Sequence, residues 1–220
     1  QNNYLLCFND ILDITGNGDF IPLDDYTVGW NPPPAPVYDP GLWLLVYSCP
    51  PTVGPPADIN TDPCLLGVAD VTNGDWSILN NIGDGSTLYF VPVTMYSMVD
   101  GVYAINLNGG DFCYELGPTY PVTFLPDVTA TGVENCTAGT VTVTVSGGNA
   151  AVNGGLFTAS NLSPASAVFN NTTCSNNGTI VISGLTGGEM YSFDITDNNG
   201  CVITFLGGPF VGPTNGGITP

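Results

Sequence analysis

The sequence predicts an all-β protein made of two tandem β-sandwich domains. Three observations predict it. Seven Asn-Gly pairs punctuate the chain, beginning at Asn17, Asn73, Asn108, Asn153, Asn177, Asn199 and Asn215. Asn-Gly favours tight two-residue hairpins of type I′, because both residues tolerate positive φ. Between these turns apolar residues alternate with Thr, Ser and Asn, the period of half-buried strands. No stretch carries a convincing 3.6-residue period, so short strands joined by turns are the expectation.

The strands follow in order. In the first half, GLWLLVYS (41–48) is a strong apolar run between two proline-rich loops, 31–40 and 49–58. DWSIL (75–79), STLYFVPVTMY (86–96) and YPVTFLP (120–126) come next. The second half reads as DVTATGV (127–133), GTVTVTVSG (139–147), GLFTAS (155–160), SAVFN (166–170), GTIVISGL (178–185), MYSFDITD (190–197) and CVITFLG (201–207). Seven short strands in that length suit an immunoglobulin-like sandwich. Within MYSFDITD, Tyr191, Phe193 and Ile195 are expected inward and Ser192, Asp194 and Thr196 outward. A faint internal repeat links STLYFVPVTMY and YPVTFLP to MYSFDITD and CVITFLG, with Tyr89 and Tyr191 in matching places. The expected division is 1–126, an immunoglobulin-like or jelly-roll sandwich, then 127–210, an immunoglobulin-like domain. A Gly/Pro-rich tail, 211–220, follows.

Charge narrows the function classes. The chain has no Lys, Arg or His and 19 Asp and Glu, a net charge of −19. An average chain of this size carries on the order of 25 Lys and Arg. The charge therefore comes from missing cations, not from an acidic run. Nucleic acid and phosphate are excluded as partners of the usual electrostatic kind, which need Lys and Arg. No histidine is present to act as a base near neutral pH. Trypsin-like proteases find no cleavage site, which makes protease resistance one reading of the composition. No run of about 18 apolar residues is present, so no membrane-inserted helix is expected. The opening at Gln1 is what a mature form freed of its targeting segment would show.

Seven cysteines with no C-x-x-C and no His point to disulfides and an oxidising, extracellular setting. In the immunoglobulin strand order, Cys174 precedes the fifth strand and Cys201 follows the last hairpin turn, at the same end of the sandwich. Cys174–Cys201 is the expected pair, since ion pairs between side chains are impossible here and loop ends need another tie. In the first half Cys7, Cys49, Cys64 and Cys113 allow three pairings, of which Cys49–Cys64 with Cys7–Cys113 is the preferred one, and Cys136 is left as a free or intermolecular thiol.

These residues also resemble a known family. Ser146-Gly147-Gly148, Gly184-Leu185-Thr186-Gly187-Gly188, Tyr191-Ser192-Phe193 and Thr196-Asp197-Asn198-Asn199-Gly200-Cys201 occur in that order. The segment resembles the immunoglobulin-like tandem repeats of large secreted surface proteins and gliding adhesins of Bacteroidetes-type bacteria. LYFVPVTMY and YPVTFLP are more loosely similar to domains that precede such repeats. The resemblance implies an exported, modular, non-catalytic protein of the bacterial surface, of a build also similar to protomers of extracellular fibrils. The chain departs from the family in its Cys174 and its lack of Lys and Arg.

Four patterns are candidates for chemistry. Asp13, Thr15, Asn17, Asp19 and Asp24, with Gly18 at the turn, partly match the oxygen-rich spacing of a calcium loop. The same residues also suit an Asx-rich turn that needs no ion. Asp24/Asp25 and Asp10/Asp13 are carboxylate pairs of the kind glycosidases use, but neighbouring strand residues face opposite ways. Asp13-Ile14-Thr15-Gly16 is not an aspartic-protease Asp-Thr-Gly. An enzyme is therefore not expected. Trp30, Trp43 and Trp76 with ten tyrosines are the material of a sugar platform, although Trp43 sits in an apolar strand suited to a core. Acceptor sequons for glycosylation start at Asn135, Asn161, Asn170, Asn171 and Asn177; a Thr/Asn-rich chain produces such matches by chance.

The combined expectation is a structural extracellular subunit that self-associates head to tail in a filament. A carbohydrate-binding module is the alternative. Residues 1–12 are apolar apart from Asp10 and suit either a first strand of their own domain or a strand added to a neighbour's open edge.

Overall fold

In the computed structural model, described for residues 3–14, 40–54, 59–71, 76–96, 98–99, 102–103 and 115–212, the protein is all-β. The strands in chain order are β1 (Tyr4–Leu6), β2 (Ile11–Ile14), β3 (Pro40–Tyr47), β4 (Leu65–Asp70), β5 (Trp76–Leu79) and β6 (Thr87–Tyr96). After the short β7 (Met98–Val99), β8 (Val102–Tyr103) and β9 (Glu115–Leu116) come β10 (Tyr120–Phe124), β11 (Thr129–Asn135) and β12 (Thr140–Ser146). One helical turn, α1 (Gly148–Val152), leads to β13 (Leu156–Ser163), β14 (Val168–Phe169), β15 (Thr173–Ser175), β16 (Gly178–Ser183), β17 (Tyr191–Thr196) and β18 (Val202–Gly207).

The chain divides into two compact units, both discontinuous. The first takes Gln1–Leu6, Ile11–Leu79 and Ser86–Thr123; the second takes Cys7–Asp10, Asn80–Gly85 and Phe124–Pro220.

The first unit is built on the sheet order β1-β10-β6-β3-β4, with β9 also against β6. Its centre is β3 paired antiparallel with β6. The run Leu42 to Tyr47 does not alternate because the strand is covered on both faces. On one face Trp43, Leu45 and Tyr47 pack with Ile59, Val91 and Val93. On the other, Leu44 and Phe90 are buried, and Trp76 of the β2–β5 ribbon lies 5.8 Å from the Phe90 ring. The N-terminal segment is engaged within this unit: β1 neighbours β10, Asn3 Nδ2 donates to Thr123 Oγ1 at 2.9 Å, and β2 pairs with β5.

The second unit is a sandwich of two four-stranded sheets, β11-β12-β16-β14 and β15-β13-β17-β18. Here the alternation is clean. Val141, Val143 and Val145 of β12 and Ile180 and Ile182 of β16 are fully buried, while the intervening threonines of β12 are not. Tyr191, Phe193 and Ile195 face inward from β17, as expected. Phe193 packs edge-on against Phe169 at 5.4 Å and tilted against Phe205 at 5.4 Å. The internal repeat corresponds to a repeated strand pair: β6 pairs with β10 as β17 pairs with β18, both antiparallel.

The hairpin turns differ from the type I′ expectation. At the described Asn-Gly pairs no pair has positive φ at both residues: Asn177 has φ 59°, while Gly154 and Gly200 have φ 77° and 96° after ordinary asparagines. Between β17 and β18 the loop holds three residues, 198–200. Gly200 N–H donates to Asp197 O at 3.1 Å and Asp197 N–H to Cys201 O at 3.0 Å. This is a type I turn closed by a left-handed glycine, the commonest three-residue hairpin loop.

Candidate functional site

The two disulfides define the organised corners. Cys49 and Cys64 are bonded, with Cα atoms 5.4 Å apart. The other pair corrects the sequence reading. Cys201 is bonded to Cys7, with Cα atoms 5.6 Å apart, and not to Cys174. Cys7 is therefore not paired with Cys113, which lies outside the described residues. Cys174 is a buried free thiol and Cys136 a half-buried one. The reason lies in β15. Cys174 belongs to that strand, opposite Phe157 of β13, so its side chain turns into the core and not toward the loop end. Burial pushes the Cys174 thiol up, which keeps it protonated and unreactive. In the folded protein iodoacetamide is expected to label Cys136 at least tenfold faster than Cys174, read by peptide mass, with the difference vanishing in denaturant.

Around Cys201 the turn is set by one carboxylate. Asp197 is 4% exposed and accepts N–H bonds from Asn149 (2.7 Å), Asn199 (2.9 Å) and Cys201 (2.9 Å). Gly148, at φ 54°, lies against it; a Cβ there would stand 2.5 Å from Asp197 Oδ2. Cys7 is presented by a turn in which Asp10 N–H donates to Cys7 O at 3.1 Å and Asn9 takes φ 65°. That turn is held by Asn80, fully buried, whose N–H donates to Asp10 O at 2.8 Å and whose Nδ2 donates to Leu125 O at 3.0 Å. A shallow cleft beside the bond is lined by Phe8, Asp10, Asp127, Gly200 and Val202. The arrangement fastens a chain segment.

Asp62 plays the same part in the first unit, inside the Cys49–Cys64 loop. Burial raises its carboxyl pKa, but hydrogen bonds from the backbone N–H groups of Cys64, Thr52 and Val53 and from the Thr52 hydroxyl outweigh that and hold it below the ordinary value. A carboxyl with a lowered folded-state pKa stabilises the fold above its unfolded value of about 4, and that stability is lost as pH falls through the lowered value. The urea midpoint of the first unit is therefore expected to drop below about pH 4. Asp62→Asn should cost about 2 kcal/mol at neutral pH and flatten that dependence.

At the other end of the second unit Tyr191 donates to Glu134 Oε1 at 3.1 Å, and Glu134 Oε2 accepts from Val211 N–H at 2.9 Å. Burial first, then the Glu134 carboxylate, push the Tyr191 hydroxyl up to about 12. Phe210, 1% exposed, exchanges N–H bonds with Glu189 and Gly188 and fastens the segment after β18.

The remaining candidate residues are placed as follows. Asp13 is exposed on β2 opposite Ser77, while Thr15, Asn17, Asp19 and Asp24 of the calcium pattern lie outside the described residues. Among the described residues no group of three or more Cys, Asp or Glu is placed to hold a metal ion. Asp24 and Asp25 also lie outside them, as does Trp30. Trp43 is 8% exposed, and Trp76 is half-buried on Phe90, so neither offers an open platform. Among the sequons, Asn135, Asn161, Asn170 and Asn177 are exposed. Asn161 donates to Asp194 at 2.7 Å and Asn170 accepts from Ser183 at 2.7 Å. Asn171 is committed: its Nδ2 donates to Thr173 O and Thr179 O, and its Oδ1 accepts from Val181 N–H. A glycan on that nitrogen would displace one of these bonds.

Sequence reasoning expected an open sheet edge but did not identify the strand that supplies it. Among the described residues, the edge strands of the sandwich are β11 and β14 in one sheet and β15 and β18 in the other. β14 and β15 have only two and three residues. β18 runs six residues in unbroken register with β17, contains no charge or proline, and exposes Val202 (57%) and Leu206 (73%). The absence of Lys was the available signal, since Lys is a usual guard of such edges.

A scan against protein-family models finds no match, and a search of curated proteins finds no similar sequence.

Proposed function

We propose that the chain is a non-enzymatic, extracellular structural protein, a subunit of a self-assembling surface fibre or adhesin. The observation that carries this reading is β18, a long, regular, uncharged edge strand that exposes Val202 and Leu206. Such an edge favours pairing with another chain, because backbone hydrogen bonds supply the contact without charge complementarity. A second copy is the partner. Where β18 pairs with a different edge of the next copy, the contact is head to tail, does not close and so propagates. Two disulfides, typical of proteins outside the reducing cytoplasm, support an exported setting, and among the described residues no helix is long and apolar enough to cross a membrane. The sheet orders support an immunoglobulin-like second unit: β11, β12, β16 and β14 stand where strands A, B, E and D stand, and β13, β17 and β18 where C, F and G stand, with β15 added beside C. Since β1 and β2 are engaged in their own unit, the edge of β18 replaces residues 1–12 as the element of contact.

Subunits of charge −19 repel one another, and divalent cations screen that repulsion. Light scattering of the purified protein should rise between chelator and millimolar calcium, with filaments visible by electron microscopy. Val202→Lys with Leu206→Lys should abolish the filaments while circular dichroism stays unchanged. Filaments of unchanged appearance from the folded double variant would sink the edge-pairing reading.

A further inference from the structure

We infer that the Cys7–Cys201 bond makes this chain an inextensible mechanical link, in which tension entering before Cys7 leaves after Cys201 through the disulfide. The inference gives the fibre reading its mechanical meaning and rests on it for that meaning, while its test needs no assembly. The bonded residues are 194 positions apart, so nearly the whole chain is enclosed in one covalent loop. Within the loop lie β2 to β10 of the first unit and β11 to β17 of the second. Residues 1–6 and 202–220 remain outside. Once those outer segments have peeled away, force passes from the Cys7 to the Cys201 backbone across one S–S bond. The folded residues between them then carry none of it and cannot be drawn out while the bond holds.

The outer segments are themselves fastened. On the N-terminal side β1 neighbours β10, and Asn3 is hydrogen-bonded to Thr123. On the C-terminal side β18 keeps six register pairs with β17, Phe210 is buried, and Val211 N–H is held by Glu134. The turn that carries Cys7 is anchored through buried Asn80, and the turn that carries Cys201 through buried Asp197. Both ends of the bond therefore sit on buried polar anchors. The Cys49–Cys64 bond closes only a 15-residue separation inside the large loop and has no part in the load path.

The test is single-molecule force spectroscopy of the monomer, pulled through handles fused at Gln1 and Pro220. Without reductant, the wild-type chain should lengthen by roughly 85 Å at most, the extended length of residues 1–6 and 202–220. Adding TCEP to a molecule already held under load should release about 600–700 Å more. Cys7→Ser with Cys201→Ser should release about 600 Å without reductant, Cys49–Cys64 still hiding its short loop. If that variant does not fold, the TCEP arm on the wild-type molecule decides alone. A wild-type extension of several hundred ångströms without reductant, or no added extension with it, overturns the inference. Failure of the chain to form filaments would count against the fibre reading and leave this result untouched.

Discussion

Replacing Cys7 and Cys201 by serine is expected to destabilise the second unit by about 4–5 kcal/mol, read from the shift of its urea unfolding transition. On the chain-entropy account, a bond stabilises by restricting the unfolded state, and the restriction grows slowly with loop length. Here the residues are 194 apart, near the upper end of the range. If the first unit stays folded while the second unfolds, the effective loop shortens, but the logarithm changes little. The same variant loses the covalent hold on the turn Cys7–Asp10, which then depends on hydrogen bonds, those of Asn80 among them. The Cys49→Ser, Cys64→Ser variant is the control. Its bond spans 15 residues and should cost about 3 kcal/mol, confined to the first unit. Equal losses from the two variants would contradict the account.

The second large effect is Phe193→Ala, expected to cost about 3–5 kcal/mol. Phe193 is 1% exposed and sits between Phe169, edge-on, and Phe205, tilted. It meets residues from both sheets of the sandwich, so its removal opens a cavity that neither sheet can close by moving alone. Val202→Ala, on the outer side of neighbouring β18 and 57% exposed, should change stability by less than about 0.5 kcal/mol. Comparison of the two by thermal unfolding checks the facing of the strands. A loss at position 202 as large as at 193 would contradict it.

The second sandwich was legible because each of its strands has one wet face. Thr alternates with Val in β12, and in β16 the buried Ile180 and Ile182 alternate with Thr179, Val181 and Ser183, so the period survives in the pattern of burial. β3 was legible for another reason: it is covered on both faces and reads as an unbroken apolar run. What escaped were contacts fixed by single polar side chains. Nothing periodic marks Asn80 as the residue that draws Cys7–Asp10 into the second unit. The Cys7–Cys201 pairing escaped with it, while Cys49–Cys64 did not, because the position of Cys7 depends on that asparagine and the inward facing of Cys174 on a three-residue strand. The sequence suits a two-residue Asn-Gly turn after Asp197; the three N–H bonds to the Asp197 carboxylate select the longer loop and place Cys201 after it.

This chain without cations fastens its loop ends with disulfides and buried hydrogen-bonded carboxylates, and Cys7–Cys201 closes the second unit. Mass mapping of the non-reduced protein, cut by a non-tryptic protease after alkylation of free thiols, tests this most directly. The account predicts a Cys7 peptide joined to a Cys201 peptide, Cys49 joined to Cys64, and alkyl groups on Cys136 and, after denaturation, on Cys174. A Cys174 peptide joined to Cys201, or Cys7 joined to Cys113, would contradict it.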